Sequence, residues 1–272
     1  MKELSIRDIQ LQSLDIMKDI HEFCVDNGLH YTLAYGSMIG AIRHKGFIPW
    51  DDDIDILMPR KDWECFSAKY KSVKGYKLLS AYDKKNYMIF SRVYDTEHTI
   101  VTYPVPTTAL PEMGVWVDVL PIDGLPNNVE SFPFDKLQFL LQNTLRLREY
   151  LTISQLPIMK RIKRFVKSIL YRQPNMHRSI VQFHKIARTY TYGTTEKCSN
   201  LCCRDALDRG KMEVLYTSDF SSFQLMPFED TMLYVASGYD RILKMTYGEY
   251  MQLPPKEQQV IRHSFASYYK KD

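Results

Sequence analysis

Four aspartates, Asp51, Asp52, Asp53 and Asp55, stand at the head of an apolar run that continues Ile56-Leu57-Met58. From Asp53 the order Asp-Ile-Asp-Ile-Leu-Met has the period of a β-strand. Asp53 and Asp55 are therefore expected on one face, with Ile54 and Ile56 turned into a core. Carboxylates held this close repel and raise each other's pKa, and Asp is disfavoured inside strands. A cation between the two removes both objections. Hard carboxylate oxygens suit Mg²⁺ or Mn²⁺, which makes Asp53 and Asp55 candidate catalytic residues and metal ligands. Asp51 and Asp52 read either as further site residues or as a solvated acidic turn.

The neighbouring residues suit a phosphate. Residues 31–35 read as a short strand, ended by Gly36-Ser37, and residues 38–43 as a short helix closed at Lys45-Gly46. A strand, a Gly-Ser turn and a helix N-terminus offer free N–H groups and a favourable dipole to an anion, so Gly36 and Ser37 are candidate phosphate holders. Further on, Val115-Trp-Val-Asp118-Val-Leu120 embeds another carboxylate in a strand pattern. Asp118 is either an edge-strand residue facing solvent or a third acid, brought beside Asp53 and Asp55 by strand pairing. A two-metal site needs oxygens beyond one pair. Arg92, within an expected strand over 87–94, either clamps a phosphate or pairs with an acid on an exposed face.

The run Gly36-Ser37-Met-Ile-Gly40-Ala-Ile-Arg43-His-Lys-Gly46-Phe-Ile-Pro49-Trp50-Asp-Asp-Asp53-Ile-Asp55 resembles the signature of the LicD family. Two later blocks agree: Trp116-Val-Asp118-Val-Leu-Pro-Ile-Asp123-Gly-Leu-Pro126, and Tyr247-Gly248-Glu-Tyr250-Met-Gln-Leu-Pro254-Pro255 with His263. These proteins are phosphotransferases with a nucleotidyltransferase-like fold, related to the fukutin-type proteins. The resemblance implies transfer of a phospho-alcohol such as phosphocholine from a cytidine-diphosphate donor to a glycan or lipid-linked glycan. It also implies a third acid on a later strand, here Asp118, which is then the candidate base. Arg43, Asp51, Asp52, Arg92 and His263 join Gly36 and Ser37 as substrate-binding candidates on this match; by position alone His263 is a surface residue. Two other readings stay open. One is a nucleotidyltransferase that releases pyrophosphate from a nucleoside triphosphate. The other is a non-catalytic glycan- or nucleotide-binding module on the same fold, which the full set of carboxylates speaks against.

The elements that would carry these residues follow from pattern. Residues 4–27 read as an amphipathic helix, with His21 at the surface and a stop at Asn27-Gly28. Pro59 opens a helix over 59–70. Strands are expected at 76–79, 87–94, 99–103 and 115–120, with Asp123-Gly124 a turn. Residues 132–191 read as helices, and Glu229-Asp230 as a turn between two short strands, with a substrate-facing role the richer alternative. The expected fold is α/β: a nucleotidyltransferase-like mixed sheet with flanking helices and a helical insertion. Residues 1–130 form the catalytic core, 131–205 the insertion, and 206–272 complete the catalytic domain.

The chain has 272 residues, 45% hydrophobic and 25% charged, in the range of a globular protein with a substantial core. A net charge of +4 is too mild to argue for nucleic acid. No apolar run reaches a membrane span, and residues 1–6 carry no signal-peptide core, so a cytoplasmic setting is expected. The five Cys fit that setting. Cys198, Cys202 and Cys203 lack the paired spacing of a zinc site, and buried or free thiols are the expectation. Residues 158–172 alternate apolar and basic residues with no acid. Such a helix either packs on the core with a solvated basic face or lies on the anionic inner face of the plasma membrane.

Overall fold

A computed structural model describes residues 2–84, 86, 88–102, 112–141, 158–159, 176–202, 213–261 and 267–270. The first long element, α1 (Ile6–Asp26), begins in a capping box: the Ser5 hydroxyl accepts from the Asp8 N–H while Asp8 accepts from the Ser5 N–H. Its buried stripe of Ile9, Leu14, Ile16, Met17, Ile20 and Cys24 recurs at helical spacing. It ends at Asn27, followed by Gly28 at φ 63°. His21 is half-buried, not at the surface: its Nδ1 lies 2.7 Å from the Tyr31 hydroxyl, because the hairpin carrying Tyr234 packs over it.

After β2 (Thr32–Leu33) the chain turns into α2 (Tyr35–Ile39), which runs on as a π-helical turn (Gly40–His44) and stops at Lys45, φ 57°. Then come β3 (Asp55–Pro59), α3 (Arg60–Lys69), β4 (Lys77–Leu79), β5 (Ser91–Tyr94), β6 (Thr99–Thr102) and β7 (Trp116–Leu125). The main sheet has the order β2-β3-β7-β5-β4. The β3–β7 pair is parallel and the others along this path are antiparallel. The buried face includes Ile54, Ile56, Val93, Val117 and Val119, which alternate with the polar residues of the site.

β7 outruns the expected strand. Pro121 and Asp123-Gly124 lie inside it, since residues 123–125 pair with β8 (Lys197–Ser199), itself paired with β9 (Leu215–Tyr216). Asp123 is not a turn residue: both its oxygens accept from Arg60, at 2.7 and 2.5 Å, and the pair is buried. Gly124 is needed because a Cβ there would lie 2.8 Å from the Tyr190 carbonyl oxygen and 2.7 Å from the Thr195 hydroxyl.

Residues 134–141 and α4 (Met176–Ala187) are helical. Residues 188–191, expected to be helical, form a turn; residues 142–157 and 160–175, with nearly all of the basic stretch 158–172, fall outside the described residues, as do Cys203 and His263. Cys198 and Cys202 are buried, and burial pushes the Cys198 thiol up to about 12. β10 (Phe223–Phe228) and β11 (Thr231–Ala236) form a hairpin whose turn residue Glu229 sits at φ 55°. α5 (Tyr239–Tyr247) follows. β12 (Ser267–Lys270) pairs with both β1 (Lys2–Glu3) and β6, drawing the two ends of the chain into one small sheet. No helix among the described residues is long and apolar enough to cross a membrane.

Candidate active site

The parallel register of β3 on β7 sets Asp55 opposite Asp118, and the antiparallel register of β7 on β5 sets Asp118 opposite Arg92. Three side chains thus form a row across three neighbouring strands. The Asp118 N–H donates to the Ile54 carbonyl at 3.0 Å, and the Ala34 N–H to the Asp55 carbonyl at 2.9 Å, so backbone bonds fix the row. Asp53 lies in the segment just before β3 and not on the strand itself. Its charge nevertheless reaches Asp55. Burial, followed by the charges of Asp53, Asp118 and Asp51, pushes the Asp55 carboxyl well above the usual carboxylate range, with Arg92 acting the other way.

Arg92 forks onto Asp118. Its Nε and one terminal nitrogen donate to the two carboxylate oxygens at 2.6 and 2.7 Å, and its guanidinium lies 4.2 Å from the centre of the Trp116 ring. Of the two expectations for Arg92, pairing with an acid describes this arrangement, although the pair is nearly buried instead of exposed. Each carboxylate oxygen retains a lone pair that Arg92 does not use.

Oxygens of Asp51, Asp52 and Asp53 lie within 4.8 Å of one another, close enough to share one cation. Asp52 is buried, so a merely solvated turn does not describe it. Among the described residues this triplet is a tighter acidic grouping than the set of Asp53, Asp55 and Asp118 expected from strand pairing; Asp53 belongs to both. All donors are carboxylate oxygens, and the charge crowded around Asp55 is of the kind that a divalent cation relieves. The residues therefore fit Mg²⁺ or Mn²⁺.

The Gly-Ser turn is built differently from the expectation. The helix starts at Tyr35, at φ 47°, so Gly36 and Ser37 lie within its first turn. Gly36 lets the Asp51 carboxylate stand against the helix; a Cβ there would displace that side chain. The Ser37 hydroxyl, buried, accepts from the Asp55 N–H at 3.0 Å and so fastens the helix to the head of β3. Arg43 donates to the carbonyls of Tyr250 and Gln252 at 2.6 and 3.1 Å. The tail segment around Tyr247-Gly248 is thereby docked on the π-helical turn.

Two residues that sequence reasoning missed, Gln10 and Arg7, hold the acidic loop together with Glu229, whose expected role was different. Gln10, buried on α1, donates to the Ile48 and Asp51 carbonyls at 3.3 and 2.8 Å. Arg7 donates to Gln10 at 3.2 Å and to Glu229 at 2.6 Å, and the other Glu229 oxygen accepts from the Phe47 N–H at 3.1 Å. The bond from Arg7 holds the Glu229 carboxyl below its usual range. Glu229 is thus a clamp on the loop, not a substrate-facing acid.

The sequence model described as LicD/FKTN/FKRP, nucleotidyltransferase domain, matches residues 28–121, the span that holds Gly36, the acidic loop, Arg92 and Asp118. The lipopolysaccharide cholinephosphotransferase LicD of Haemophilus influenzae is 27% identical over 98% of this chain and 99% of its own length. An uncharacterised protein of Rickettsia prowazekii is 42% identical over 52 residues, 19% of this chain and 20% of its own.

Proposed function

For this chain, a member of the LicD family and a LicD-like transferase, we propose transfer of a phospho-alcohol of the phosphocholine kind from a cytidine-diphosphate donor to a glycan. The acceptor we favour is a lipopolysaccharide-type or other lipid-linked glycan precursor, met at the inner face of the plasma membrane. The observation that carries the reading is the in-register row of Asp55 and Asp118 beside the Asp51–Asp53 loop, against the first turn of α2.

In this mechanism Asp53, Asp55 and Asp118, with Asp51 and Asp52 adjoining, would hold Mg²⁺ or Mn²⁺. Bound there, the cation would supply charge neutralisation for the transferring phosphoryl group. The first turn of α2 presents backbone N–H groups to a donor phosphate. Because the Asp51 carboxylate already stands against Gly36, an anion is accepted there only with positive charge alongside. Asp118, aimed by the Arg92 fork, takes the proton of the acceptor hydroxyl on a lone pair that Arg92 leaves. The hydroxyl oxygen attacks the phosphorus next to the alcohol, and cytidine monophosphate leaves. The clamp of Gln10, Arg7 and Glu229 keeps the acidic loop in place throughout.

The test is release of cytidine monophosphate from a panel of cytidine-diphosphate alcohols, with Mg²⁺ and a glycan acceptor. Release that depends on the alcohol and on both additions supports the reading. Pyrophosphate release from a nucleoside triphosphate, with no use of any diphosphate alcohol, overturns it in favour of a nucleotidyltransferase.

A further inference from the structure

The Arg92–Asp118 pair carries more than a structural ion pair requires. It lies at the end of a row of acids, it is nearly buried, and the guanidinium is fixed from two sides. The fork to Asp118 holds its edge and Trp116 covers its face. Register places Leu79 of β4 on the far side of Arg92, so its backbone is paired on both edges. A residue held in this way keeps its place when a ligand arrives. Its charge therefore acts on whatever binds at the row, and it also bears on Asp55.

We propose that Arg92 is a positioning residue that serves the acid row as a resident positive charge, aiming Asp118 and keeping the row assembled before a divalent cation binds, at the expense of cation affinity. The inference rests on the metal reading of the site given above. Two effects follow, and they separate. The charge of Arg92 opposes cation binding through space, whatever the shape of the head group. The aim of Asp118 depends on the planar two-bond fork, which a lysine cannot reproduce.

The experiment is calorimetric titration of the purified full chain with Mn²⁺ alone, for wild type, Arg92→Met and Arg92→Lys, with thermal melts at each Mn²⁺ concentration. Arg92→Met is expected to bind Mn²⁺ on the order of tenfold tighter than wild type. It melts lower without metal, and its midpoint climbs more steeply with Mn²⁺. Arg92→Lys keeps the charge, so its Mn²⁺ affinity stays within about twofold of wild type while kcat falls. Should Arg92→Met not fold without metal, Arg92→Met with Asp118→Asn removes the stranded charge. That double variant is then expected to fold and to bind Mn²⁺ no more weakly than Asp118→Asn alone. Unchanged or weaker Mn²⁺ binding by Arg92→Met, or equal tightening by Arg92→Lys, overturns the inference and leaves the metal reading standing. A wild-type protein that binds no Mn²⁺ at all removes both.

Discussion

Gln10→Leu isolates the contribution of the loop clamp from that of the acids. The substitution keeps side-chain volume and helix propensity nearly constant on α1, so the change is the loss of one amide. Two bonds vanish, from Nε2 to the Ile48 carbonyl at 3.3 Å and to the Asp51 carbonyl at 2.8 Å. Arg7 also loses the Gln10 oxygen, but it keeps Glu229 and is half exposed, so water replaces that bond cheaply. The Ile48 carbonyl keeps the Asp51 N–H at 2.9 Å, so the cost falls mainly on the Asp51 carbonyl, about 1–2 kcal/mol. The Asp51 carbonyl belongs to the acidic loop itself, and a misplacement of about 1 Å in a catalytic group can cost on the order of a hundredfold in rate. The assay pairs urea unfolding, read at unchanged m-value, with cytidine monophosphate release at saturating donor. The expected result is a lower midpoint together with kcat reduced at least tenfold, and KM for the donor little changed. A variant that loses the stability but keeps full kcat would refute the claim that Gln10 positions the acids. Gln10→Leu equal to wild type in both would refute the clamp altogether.

Asp53→Asn and Asp55→Asn should each keep the far-ultraviolet circular dichroism spectrum and lose activity by at least about a hundredfold, more than a supporting residue of a metal site usually costs; near wild-type turnover in Mg²⁺ would remove that residue from the set. His184 is buried beside Arg60, whose N–H lies 3.2 Å from its Nδ1, and burial and then Arg60 hold its pKa well below the ordinary value. The native state therefore keeps this imidazole neutral while the unfolded chain protonates it. Stability is full above about pH 6.5 and falls as the pH drops below it. Thermal melts between pH 7 and 5 should show that loss, and His184→Gln should flatten it even though its midpoint at pH 7 is lower. Vesicle co-sedimentation tests the basic stretch 158–172: binding should need anionic lipid, weaken with salt, and drop when Lys160, Lys163, Arg164 and Lys167 become Gln, whereas a wild-type protein indifferent to anionic vesicles at low salt would withdraw the membrane contact.

What could be read from the sequence divides along a physical line. Asp55 and Asp118 announced themselves because each breaks a local rule, a carboxylate inside an apolar strand pattern, and such a breach needs a compensating reason. The parallel pairing of their strands supplies the proximity, with Asp55 opposite Asp118. The local order of α1, α3 and the strands before β7 was likewise legible, with errors of a few residues at the ends. β7 was cut short because Pro121 and Asp123-Gly124 carry turn chemistry. That chemistry lost to pairing with β8 and to the buried Arg60 fork, whose partner is 63 residues away in the chain. Gln10 and Glu229 gave no signal of their roles, because each obeys its local rule. Gln is an ordinary helix residue and Glu-Asp an ordinary turn, and the groups they hold lie 41 and 182 residues away. The acids proposed for the chemistry stand in the wrong kind of place locally, whereas the residues that hold them need only be in the right place globally. Clamps of this second kind become visible when the fold closes the distance, and for that reason Gln10 and Arg92, more than the aspartates, are where substitution tests the structure itself.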